Sequence, residues 1–360
     1  MFKRIYLLLS MLACAYAFAS AQGVTWSVDV NTIFDNREGD NFYSDNGTIF
    51  LTRVSPEVGL TMLDGMHKIA GGVSWIQPCG DDWKRHKVKP VVYYRYNDKD
   101  LRVSFGIFPR SQFIEALPTF LLSDSIAYNQ PNVRGLLLQY VKPRGYAELS
   151  LDWRSQQSET AREAFNINFN GLWNPRGVLI VGGHAQINHL AKRKNAPEGE
   201  GVNDDIMVNP YLGFNLSSST ALDSLVIKTG ALVSLQRSRA VGGWQNRAGV
   251  LINAIAEKKR ISIEETFFAG KGVMPLYPTF GTLLNMGDPY FQAPLYSRTD
   301  VNFHFIRNRF VNLEASLVFH YTEEAFGFWQ QLKLRVFIDN KLWKSRNSKV
   351  SHAEWLRNNY

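Results

Sequence analysis

Charged and polar side chains recur at every second position in several stretches of this chain, and that spacing limits the chemistry open to them. In the stretch 147–156, Glu148, Asp152 and Arg154 share one face with Ser150. Two carboxylates on one strand face act as acid and base only in a pocket that pulls their pKa values apart. With Arg154 beside them, an ion pair is the expected arrangement. His184 shares a face with Gln186 and Asn188, the pattern of a polar ladder. The two Cys and seven His fall at no metal-ligand spacing, so neither a metal nor another cofactor is expected. A hydrolase carried on one strand face would need His and Ser two residues apart. No such pair occurs, and Ser351 and His352 are merely adjacent. These residues predict no enzyme.

Period-two chemistry requires strands, and strands run through the chain. The stretch 24–35 sets Trp26, Val28, Val30 and Phe34 against Ser27, Asp29, Asn31 and Asp35. The stretch 164–173 sets Phe165, Ile167, Phe169 and Trp173 against Asn166, Asn168 and Asn170. Near the end, Leu332, Leu334, Val336 and Ile338 oppose Gln331, Lys333, Arg335 and Asp339. Sixteen such runs can be counted, with no apolar run after the leader long enough for a transmembrane helix. Tight turns (63–65, 97–100, 142–145, 174–177, 258–259, 307–309) alternate with mostly longer links (36–47, 79–87, 109–132, 191–204, 271–297). Such two-sided asymmetry predicts an all-β fold: an antiparallel up-and-down transmembrane β-barrel of about 16 strands, short turns periplasmic and long loops outward. A soluble antiparallel β-protein is the alternative, but it has no reason to keep that parity. Aromatics near strand ends (Trp26, Tyr146, Trp173, Tyr211, Trp244, Tyr321) suit an interfacial girdle.

The first residues read as a cleaved signal peptide, 1–21: Lys3 and Arg4, an apolar stretch, then Ala19-Ser20-Ala21. Export places the chain in the cell outer membrane, with the barrel at 22–339 and a basic periplasmic tail at 340–360. Cleavage removes Cys14 and leaves Cys79 alone, so no intrachain disulfide can form. Leader and tail carry most of the formal net charge of +8, so the basic balance does not point to nucleic acid.

Segment 109–132, PRSQFIEALPTFLLSDSIAYNQPN, is too apolar for a solvated loop, and Pro109, Pro118 and Pro131 prevent one continuous helix. As the third outward link, it is expected to fold into the lumen, burying Phe113, Leu117, Phe120 and Leu121. It carries Arg110, Glu115 and Asp124, and Arg134 follows it. The arginines are expected to clamp the loop carboxylates or meet a passing anion. With Arg53, Glu57, Arg95, Arg102, Asp152, Arg154, Lys333 and Arg335, these residues form the expected pore lining and constriction. The basic run Lys192-Arg193-Lys194 lies in an outward link, where it can meet lipopolysaccharide phosphates.

The stretches FDNREG, TRVSPEVGL, FGIFPRS, LLSDSIAYNQPNVRG and GDPYFQAP resemble the porin-like outer-membrane barrels of the Bacteroides group. That resemblance spans about 26–339 and implies barrel, location and polarity, with no established substrate. The resulting expectation is a porin-like channel for passive passage of small polar solutes, constricted by segment 109–132. A closed barrel acting as a binding or scaffold component of a secretion or surface-assembly system is the alternative, and a lipid-modifying enzyme the third. Expected partners are outer-membrane lipid, lipopolysaccharide, small polar solutes and the barrel-assembly machinery; self-association is left open.

Overall fold

The computed structural model describes residues 23–340 except 40, 41, 45 and 176. The signal peptide and the tail beyond 340 lie outside the described residues. The strands are β1 (Gly23–Gly39), β2 (Gly47–Met62), β3 (His67–Pro78), β4 (Lys87–Asn97), β5 (Leu101–Pro109), β6 (Asn132–Lys142), β7 (Gly145–Ser155) and β8 (Ala164–Trp173). There follow β9 (Leu179–Leu190), β10 (Asn203–Asn215), β11 (Ser224–Ser238), β12 (Gln245–Lys258), β13 (Ile261–Gly270), β14 (Leu295–Arg307), β15 (Val311–Thr322) and β16 (Phe326–Asp339). Each strand pairs antiparallel with its sequence neighbours, and β1 pairs with β16, closing a 16-stranded barrel. Closure leaves no strand edge unpaired, which a wall surrounded by hydrocarbon requires.

The alternation sorts the faces as the sequence predicts. Val58, Phe105, Leu149, Phe169, Leu212, Val250 and Ile263 are exposed on the outside. Asn166, Asn168, Asn170, Gln186 and Asn188 are buried on the inside. Two aromatics assigned to the girdle are corrected. Tyr146 shares its face with Glu148 and Asp152, and Tyr211 is buried against Gly182, where an added Cβ would meet the Tyr211 hydroxyl at 2.4 Å. Both point inward, because register parity and not nearness to a strand end sets the side. The parity of the links also has exceptions: the β10–β11 link carries a short 3-10 turn (Ser217–Ser219), while only three residues join β15 to β16.

Two long links, 110–131 and 271–294, fold into the bore. The first carries a six-residue helix, α1 (Asp124–Asn129). The two links cross each other: Ser123 N donates to Met286 O at 2.8 Å and Asp288 N to Thr119 O at 2.8 Å. Gly287 sits at the crossing, and a Cβ there would lie 2.1 Å from Phe120 O, so only glycine fits.

Candidate functional site

The lumen is a packed plug rather than the uniformly polar bore that the strand pattern suggests. Phe120 and Leu121 from the first inward link and Val273, Met274, Tyr290 and Phe291 from the second pack on Met207, Leu232, Leu251, Phe268, Tyr296, Val318 and Trp329, which span β10 to β16. Phe113 packs on β3 to β6 through Ala70, Tyr93, Phe108 and Leu137. Tyr128 packs on Ile33, Leu51 and Ile76 of β1 to β3. Leu276 and Leu284 pack on Ala164 and Leu190 of β8 and β9. Burial of each large side chain is worth about 1.5–3 kcal/mol, and water in an open bore would forfeit it.

Polar wall groups fasten the same plug. Glu148 accepts from Ile114 N at 3.0 Å, Gln139 Nε2 at 2.6 Å and Asn170 Nδ2 at 3.2 Å. Asp205 accepts from Asn285 Nδ2 at 2.8 Å, and Gln236 Oε1 from Leu276 N at 2.8 Å. Arg298 on β14 contacts Asp124 at 2.9 Å, Asp300 at 3.0 Å and Asp288 at 3.9 Å, so one guanidinium ties both inward links to the wall. Burial works against the Asp124 carboxylate, but Arg298, Lys333 and Arg37 outweigh it and hold its pKa well below the usual range. Burial pushes Asp288 the other way, up to about 6.

The residues named as pore lining take varied places. Arg110 donates to the wall carboxylate Asp152 at 2.9 Å, and Arg154 to Thr282 O at 2.5 Å on the second inward link. Glu57 accepts from Tyr93 at 2.8 Å. Arg335 pairs with Asp29 at 3.0 Å, and Lys333 stands opposite Glu314 in the register. Arg53 faces inward with Glu57 on β2, Arg95 with Tyr93 on β4, and Arg102 with Ser104 on β5. Glu115 lies in the first inward link, between Phe113 and Leu117. Arg134 lies at the start of β6, just after the first inward link; its side chain is exposed, and its amide donates to Asp152 Oδ1 at 3.0 Å. The clamp on Asp124 is therefore neither Arg110 nor Arg134 but Arg298, which lies 174 residues away in sequence. The second inward link carries the same apolar, proline-rich signal as the first (GVMPLYPTF, GDPYFQAP).

A second constellation lies on the outward face at the long-loop rim. Trp153, Phe165, His189, Asp204 and Arg237 occupy consecutive register positions across β7 to β11. Trp153 stacks on Phe165 at 5.2 Å, and Phe165 on His189 at 5.0 Å. His189 Nδ1 is 3.0 Å from Asp204 Oδ1. Arg237 Nη2 and Arg239 Nε each donate to Asp204 Oδ2 at 2.9 Å. Arg237 also lies over the Trp244 ring, at 4.4 Å. Charges on a lipid-facing wall cost about 2–4 kcal/mol at mid-bilayer but little near the interface, so this row belongs at headgroup level. No single stretch of sequence shows it, since its members come from five strands.

The sequence profile of the lipid A 3'-O-deacylase-type family matches residues 18–345. The chain belongs to this family. The expectation of no enzyme is thereby overturned: the match is to a family of deacylases. In a barrel, groups on neighbouring strands meet across the register, so a His and a Ser need not lie two residues apart on one strand. No curated protein matches the sequence. Among solved structures, OprB of Pseudomonas putida is 10% identical with a TM-score of 0.50, covering 90% of this chain and 96% of its own. The loop-deleted OmpT of Vibrio cholerae and an anion-selective porin from Comamonas acidovorans are each 12% identical with a TM-score of 0.50, covering 88% of this chain and 99% of theirs. At such identity they establish the fold, that of outer-membrane porin barrels. The resemblance read from the sequence is thus met at the level of the barrel, while the family is the deacylase type.

Proposed function

We propose that the chain is an outer-membrane acyl-ester hydrolase acting on a phosphorylated glycolipid of the lipid A type, at the outward rim row. The observation that carries this reading is the His189–Asp204 pair, set on the lipid-facing side between an aromatic shelf and two arginines. Asp204 holds the ring through Nδ1, which leaves Nε2 as the basic nitrogen. Water on Nε2 gives up its proton as it attacks the ester carbonyl; the acyl C–O bond breaks and the proton passes to the departing sugar hydroxyl. Arg237 and Arg239 supply positive charge for a phosphate, with Lys192, Arg193 and Lys194 in the adjoining link. Trp153 and Phe165 offer an apolar seat for acyl chains.

The test uses the purified folded barrel with lipid A in mixed micelles, read by mass spectrometry as loss of one acyl chain. His189→Gln is expected to lower the rate about 100-fold or more. Release of no fatty acid by the wild type, or an undiminished rate in the variant, would refute the reading.

A second reading is passive passage of small polar solutes. It draws on the wall: sixteen strands enclose a bore wide enough for water, and Asp29, Asn31 and Arg335 leave its short-turn end polar. It requires the plug to move, because the two inward links contact every sector of the wall.

A further inference from the structure

At the opposite end of the barrel from the rim row, three inward groups on β13, β14 and β15 stand in a line. Ser262 Oγ is 3.1 Å from His304 Nε2, and His304 Nδ1 is 2.9 Å from Glu314 Oε2. Asn302 Nδ2 lies 3.2 Å from Ser262 Oγ. Hydroxyl, imidazole and carboxylate in this order form the arrangement that activates a serine nucleophile. The wall's ordinary ladders differ: Asn166, Asn168 and Gln186 pass amide to amide and contain no base.

The backbone is altered at this point alone on β14. Pairing with β15 slips between His304 and Ile306, so Phe305 is an extra residue. Phe305 and Ile306 are both exposed, while Arg307 turns in to pair with Glu257. The slip leaves His304 directly opposite Glu314. Bulges concentrate near active sites because they re-aim side chains. Glu257, the register partner of Ser262 on β12, is held by Arg307, so Glu314 is the carboxylate on His304. Ser262 is 1% and His304 5% exposed, too enclosed to take a long acyl chain.

We infer that Ser262, His304 and Glu314 form a hydrolytic site for short-chain acyl esters entering the lumen at the short-turn end. The site goes beyond the proposed rim deacylase and stands independently of it, since a glycolipid held at the long-loop rim does not reach it. Ser262 Oγ adds to the acyl carbonyl carbon as His304 Nε2 takes its proton, and Glu314 steadies the imidazolium. Asn302 Nδ2, beside Oγ, is the donor placed for the developing oxyanion. The ester C–O bond breaks and His304 gives its proton to the departing alcohol. Water then attacks the acyl-serine, passing its proton to His304; the acid departs as Oγ recovers that proton. Ester and water become acid and alcohol, with no other reactant.

The experiment treats the full-length folded barrel with a small dialkyl fluorophosphate and maps the adduct by peptide mass spectrometry, with 4-nitrophenyl acetate hydrolysis measured in parallel. The expected result is modification of Ser262, lost in Ser262→Ala and His304→Ala, with hydrolysis falling about 100-fold or more. Glu314→Gln, similar in size, should move the acid limb of the pH–rate profile to lower pH, which a purely structural group would not do. No adduct on Ser262 in wild-type barrel of normal heat-shifted mobility would overturn the inference, as would hydrolysis indifferent to Ser262→Ala. The adduct is read on the protein itself, so it succeeds or fails separately from glycolipid deacylation.

Discussion

Replacing Arg298 by Met should unlatch the plug while leaving the wall intact. The side chain is 6% exposed and meets Asp124 and Asp300 at 2.9 and 3.0 Å, with Asp288 at 3.9 Å. Methionine fills much of the same space but leaves three carboxylates without their shared cation. Removing one partner of a buried ion pair costs about 3–5 kcal/mol, although protonation of one acid limits the cost. A tenfold change in population takes about 1.4 kcal/mol, so opening of the inward links should become roughly 10² to 10³ times more frequent. The strand ladders do not involve this guanidinium and should keep their protection. Hydrogen exchange of the folded barrel near neutral pH, followed by peptide mass spectrometry, reads both regions in one experiment. Exchange should accelerate in 112–131 and 273–294 and stay slow in β10 to β16. If the inward links keep wild-type protection, apolar packing alone holds the plug and the electrostatic latch is wrong.

Deleting residues 112–128 removes Phe113, Phe120, Leu121 and most of α1 from the bore. Planar-bilayer conductance is expected to rise from near closed to a porin-like level, and an unchanged trace would remove the plug from any role in closure. Asp288 is a carboxyl whose pKa is raised from 3.8 to about 6 by burial, so the folded state binds its proton more tightly than the unfolded chain does. Its contribution therefore falls as pH climbs from about 4 to 6 and stays low at 7. Asp288→Asn, which keeps an acceptor for Tyr290 N, should flatten that dependence and add up to about 3 kcal/mol at pH 7 in denaturant titrations. A variant less stable than wild type at pH 7 would show that attraction to Arg298 outweighs the burial penalty.

The sequence by itself determined the wall. Period-two alternation in stretches such as 164–173 sets which side chains meet lipid, because a strand turns successive residues to opposite faces. The apolar, proline-broken character of 109–132 likewise forced it out of water and into the bore. What the tertiary structure decided were the partnerships. Sequence could place Asp124 on an inward segment, but it could not choose Arg298 as its cation, because strand order around the barrel brings β14 to α1. The rim row and the Ser262–His304–Glu314 line follow the same rule. Hydrogen bonds in a sheet run across strands, so the neighbours that make chemistry lie tens of residues apart and exist only once the register is set.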